Sequence, residues 1–136
     1  MVQLIVGHKG SGKTKAMVEM ANRAVKESKG NVVVVEKDVR LTYEISSQAR
    51  LVYSDEYAIS GYDAVYGFIT GLLAGNYDIT RVFIDGLYKI IGGKDAAKAE
   101  EFLVALDAFS SKHSVNFTVS LSEEPESATE GMKRFL

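Results

Sequence analysis

The chain has 136 residues, 46% of them hydrophobic, with 16 Lys+Arg against 18 Asp+Glu and a net charge of −2. That length fits one domain, residues 1–136, able to bury a core unaided, and the apolar content excludes global disorder. The charge balance argues against a basic nucleic-acid surface or an electrostatic membrane anchor, and the absence of cysteine excludes disulfides, thiolate catalysis and Cys-ligated zinc.

The predicted elements alternate strand and helix. Val2 to Val6 reads as a short buried strand. The apolar start, Met1 to Gly7, is too short for a signal peptide, and no run approaches a membrane span, so a cytoplasmic protein is expected. From Thr14 to Ser28, Met17, Met20, Ala21, Ala24 and Val25 recur at helical spacing, and Gly30-Asn31 stops the helix. Val32 to Val35 is an unbroken valine run, which predicts a strand covered on both faces. Leu41 to Ile45 and Ala49 to Tyr53 read as short strands around a Ser46-Ser47-Gln48 turn. Ser60-Gly-Tyr-Asp63 has the form of a capping box, opening a helix with Val65, Phe68, Ile69, Leu72 and Leu73 on one stripe.

Arg81 to Asp85 predicts a strand. Asp95 to Lys112 predicts a helix that buries Phe102, Leu103, Leu106 and Phe109. Val115, Phe117, Val119 and Leu121 then alternate with Asn116, Thr118, Ser120 and Ser122, predicting a strand with one polar face; Ser120 and Ser122 at its end either contact a bound ligand or simply alternate towards solvent. Pro125 suits the first turn of a last helix, from which Ala128, Met132 and Phe135 dock on the core. The expected fold is α/β, three-layered, with a mainly parallel sheet of about five strands and helices on both faces. Ligands of such sheets bind at the carboxyl ends of the strands, here after Val6, Val35, Asp85 and Ser120.

Gly7-His8-Lys9-Gly10-Ser11-Gly12-Lys13-Thr14 matches G-x-x-x-x-G-K-[ST] and lies between a predicted strand and a predicted helix. Gly7, Gly10 and Gly12 permit turns that a Cβ obstructs and let backbone amides approach phosphate. Those amides form an anion nest at a helix start, where the dipole adds positive character. Lys13 reaches the β- and γ-phosphates, and the Thr14 hydroxyl is a Mg²⁺ ligand. His8 and Lys9 sit within the loop, where each faces either phosphate or solvent.

These residues resemble the P-loop NTPase superfamily, and the resemblance covers most of the chain. It implies ATP and Mg²⁺ as cofactors. The superfamily's second signature, an apolar strand ending in a Mg²⁺-holding Asp, is met by Arg81-Val-Phe-Ile-Asp85. Many hydrolytic members carry Glu directly after that Asp; this chain has Gly86. RecA-like members instead place Glu at the end of the second strand, which implies Glu36, then Asp38, as the residue orienting water. The alternative is a solvated strand-end Glu36. The overall form is also similar to small bacterial ATP-binding proteins labelled after twitching-motility ATPases, although the larger motors' additional domain and His motifs have no counterpart here.

The resemblance implies a Mg-ATP-binding protein with weak or partner-stimulated ATPase activity, Lys13 and Glu36 being catalytic. Two alternatives compete with it: a non-hydrolysing regulatory or assembly subunit, and a kinase for a nucleotide or other small molecule. Gly86 to Lys94 holds Lys89 and Lys94 but no arginine, which counts against a kinase lid. A homo-oligomer or protein partner is expected, with Arg23, Arg40, Arg50, Arg81 and Arg134 as candidate fingers. Nothing points directly to nucleic acid or membrane. No N-K-x-D guanine motif occurs, which favours ATP.

Overall fold

A computed structural model describes residues 1–38 and 44–136 of the chain. Its centre is a five-stranded, wholly parallel sheet in the order β1-β5-β4-β2-β3. The strands are β1 (Val2–Gly7), β2 (Asn31–Glu36), β3 (Arg50–Tyr53), β4 (Ile79–Ile84) and β5 (Asn116–Ser122). The helices are α1 (Lys13–Glu27), α2 (Tyr62–Gly75), α3 (Leu87–Ile91), α4 (Ala96–His113) and α5 (Glu130–Lys133).

The valine run works as two interleaved sets. Val33 and Val35 join α2 and α4 in the larger core, with Val65, Ile69, Leu103 and Leu106. Val32 and Val34 join α1 on the other face, with Met17, Ala21, Ala24 and Phe83. Successive strand side chains point to opposite faces, so only a sheet covered on both sides buries all four. Burying each such side chain is worth ~1.5–3 kcal/mol, which favours this arrangement over any that exposes one face. The last segment packs as expected: Ala128, Met132 and Phe135 are buried, and Leu4 N–H donates to the Phe135 carbonyl on the outer side of β1.

Three expectations need correction. The capping box at Ser60 does not form: α2 is capped by Gly61, with no side-chain cap hydrogen bond. Gly61 adopts φ 83°, open to glycine, and its N–H donates to the Ile91 carbonyl, tying the start of α2 to the end of α3. Pro125 opens a three-residue 3-10 turn, and α5 starts later, capped by the Thr129 hydroxyl. The polar face of β5 is not solvated: Thr118 and Ser120 are both 1% exposed. They lie on the sheet face that α1 covers, so alternation marks two buried environments there. Of the two strands read between 41 and 53, the second is β3; the first lies mostly outside the described residues. Among the described residues no helix is long and apolar enough to cross a membrane.

Candidate functional site

Strand register assembles the site. Val34, Phe83 and Thr118 pair across β2, β4 and β5 in one row beneath α1. Two residues further on, the next row on that face is Glu36, Asp85 and Ser120. These three come from distant parts of the sequence and stand side by side at the carboxyl ends of adjacent strands. Asp85 N–H donates to the Val35 carbonyl at 2.9 Å, carrying the ladder up to the carboxylate.

Asp85 is held from two sides. Ser120 Oγ donates to Asp85 Oδ1 at 2.9 Å and accepts from Gly86 N–H at 2.8 Å. Thr14 Oγ1, on the first turn of α1, donates to Asp85 Oδ2 at 3.3 Å. The loop after β1 and the aspartate after β4 therefore meet across the intervening β5. Lys13 Nζ donates to the carbonyls of Gly7 and His8 at 2.9 and 2.7 Å. Burial lowers the Lys13 pKa, Asp85 opposes that shift, and Lys89 adds to it.

The loop's geometry fits its glycines. Gly10 and Gly12 have φ +85° and +90°, where a side chain is strained. Gly7 ends β1, and a Cβ there meets the Ser11 hydroxyl. The first N–H groups of α1 have no acceptor within the helix, and the residues that begin it line a cleft of about 330 Å³. Lys9, Gly10, Gly12, Lys13 and Thr14 line it from the loop side, with Glu36, Asp38, Asp85, Lys89, Ser120 and Ser122 among the other lining residues.

Not every sequence candidate reaches the cleft. Gly7, His8 and Ser11 are absent from its lining. His8 Nδ1 instead contacts the Glu124 carboxylate beyond β5. Glu36 is 4% exposed, which removes the alternative of a solvated strand end. No arginine among the described residues lines the cleft; Arg40 lies outside them.

Sequence reasoning missed Glu123. It is 5% exposed, bridges to Gly7, accepts from Tyr88 Oη at 2.9 Å and lies 3.3 Å from Lys94 Nζ. It thereby ties α3 and the segment after it to the base of the glycine-rich loop. Burial raises the Tyr88 pKa, and Glu123 adds to that shift. The available signal was its place just past the end of a strand.

Thr14 and Asp85 offer hard oxygen donors close together at the cleft. That donor set suits Mg²⁺, which takes one or two protein oxygens and completes its shell with water and phosphate. In chemical terms the cleft joins amide donors and lysines for an anion, an oxygen pair for a hard cation, and a buried carboxylate beside both. Comparison with protein-family models gave no match, and comparison with curated proteins gave none either.

Proposed function

We propose that this chain is a RecA-like P-loop domain that binds Mg-ATP and hydrolyses it weakly, or under stimulation by a partner. One observation carries the reading: Lys13 and Thr14 converge with Asp85 and Glu36 on a single cleft. A match to the loop motif alone is local, whereas its convergence with the aspartate and the second-strand glutamate is a three-dimensional coincidence that the reading explains. In this assignment the loop amides and Lys13 bind the phosphates, and Thr14 and Asp85 hold Mg²⁺, which neutralises charge on the β- and γ-phosphates. Glu36 orients the attacking water; phosphoryl transfer asks mainly for positioning and charge neutralisation.

The second reading is a nucleotide-dependent regulatory or assembly subunit without turnover. It is favoured by Gly86 directly after Asp85 and by the lack of a cleft arginine among the described residues. The same lack disfavours a kinase. It also supports a homo-oligomer or protein partner as the source of an arginine finger.

The discriminating experiment measures phosphate release and phosphotransfer from ATP and GTP, with and without small-molecule acceptors. Release without acceptor supports the ATPase. Acceptor-dependent transfer supports a kinase, and tight binding with neither supports the regulator. Lack of binding to any nucleoside triphosphate sinks the whole assignment.

A further inference from the structure

The nucleotide reading leaves open which side chain distinguishes a triphosphate from a diphosphate, and the inference drawn here rests on that reading. The lysines of the cleft divide by position. Lys9, Lys13 and Lys15 belong to the glycine-rich loop and α1. Lys37 pairs with Asp55 at 3.3 Å. Lys89 comes from α3, which begins two residues after Asp85, so it lines the cleft from the end of β4, two strands away from β1 and the loop.

Its placement follows from Gly86. That residue turns the chain through a left-handed conformation at φ 75°, and Lys89 N–H donates to its carbonyl at 3.0 Å. The Lys89 Cδ, Cβ and Cγ atoms lie 3.6, 3.9 and 3.9 Å from where a Gly86 Cβ would stand. The lysine stem therefore folds back along Gly86, beside Asp85, and lines the cleft. Lys89 and Lys13 both line this cleft, one from the assembled side and one from the loop. Converging like charges repel, and an anion placed between them reverses the sign of that interaction.

We propose that Lys89 is the second reader of the terminal phosphate, meeting it from the Asp85 side while the loop amides hold the inner phosphates and Lys13 spans the β- and γ-phosphates. A diphosphate is satisfied by the loop alone. A triphosphate spans the two walls and engages both lysines.

Calorimetry with Mg²⁺ and either ATP or ADP, on wild type, K89Q and K89R, tests this. Lys89 is exposed, so both variants are expected to melt with wild type. K89Q is expected to bind ATP about tenfold more weakly, a loss of ~1.4 kcal/mol, and ADP within about twofold of wild type. K89R is expected to recover most of the ATP affinity. Equal weakening of both nucleotides signals a diffuse field and overturns the proposal, as does an unaffected K89Q or a K89R that behaves like K89Q. A wild type that binds neither nucleotide overturns the nucleotide reading and this inference with it, whereas wild-type binding with an indifferent K89Q overturns this inference alone.

Discussion

One wall of the cleft is drawn from a single stretch of chain, between Lys9 and Lys15, whereas the other collects Glu36, Asp85, Lys89 and Ser120 from β2, the end of β4, α3 and β5. The first is shaped by local stereochemistry: glycines at positive φ and a helix start whose first N–H groups lack intrahelical acceptors. The second is shaped by strand register, and its carboxylates hold position through bonds such as Ser120 to Asp85. The difference suggests a division of labour. On the proposed reading, the loop wall would supply affinity for the inner phosphates, and the assembled wall the cation, the orientation on which any chemistry depends and, through Lys89, a contact to the terminal phosphate.

Substitutions that touch one wall at a time sharpen this division. The largest effect is expected for Lys13→Ala. It removes the loop's charge-assisted donor, worth up to ~3 kcal/mol, and calorimetry at low salt should show nucleotide binding abolished. Unchanged affinity would falsify the role of the loop wall.

Glu36→Gln acts on the other wall. Affinity should stay within about twofold of wild type, while phosphate release falls by ~10²-fold, the scale of a lost base or water-positioning group. If release is unaffected, Glu36 is a bystander. If affinity collapses as well, the two walls are not separable in the way described.

Smaller effects concern stability. Ser120→Ala removes the hydroxyl that links Asp85 Oδ1 to Gly86 N–H. Leaving such groups unsatisfied costs ~1–3 kcal/mol, so thermal melting should move down, and Mg²⁺-dependent binding should weaken more than Mg²⁺-independent binding. A variant that melts with wild type shows that solvent replaces the hydroxyl without cost. Gly12→Ala forces a side chain into the left-handed region at φ +90°, at a cost of ~1–2 kcal/mol. Its melting point should fall slightly, and affinity should suffer for ATP and ADP alike, because both use the loop.

Much of the fold was legible because short-range physics specifies it. The valine run, the apolar stripe of α1 and the helix at 96–113 follow from side-chain periodicity. Asp95 also caps that helix, accepting from Lys98 N–H at 3.1 Å. The capping box at Ser60 misled because a pattern match carries no knowledge of the neighbour: the Ile91 carbonyl binds Gly61 N–H and sets how the chain enters α2. Ser120 and Thr118 misled for a related reason. Alternation distinguishes two faces of a strand but does not say what covers either one, and here α1 covers the polar side.

The sequence by itself determined most of the elements, though not α3, and the loop motif, because backbone torsions, helix starts and the spacing of apolar residues are set within a few neighbours. It also marked Asp85 and Glu36 as ends of strands. Only the tertiary structure decided that they are adjacent, that Ser120 ties the aspartate down, and that Lys89 joins Lys13 in lining one cleft. Those facts depend on the strand order β1-β5-β4-β2-β3, a long-range choice made by the packing of α1 on one face and the remaining helices on the other.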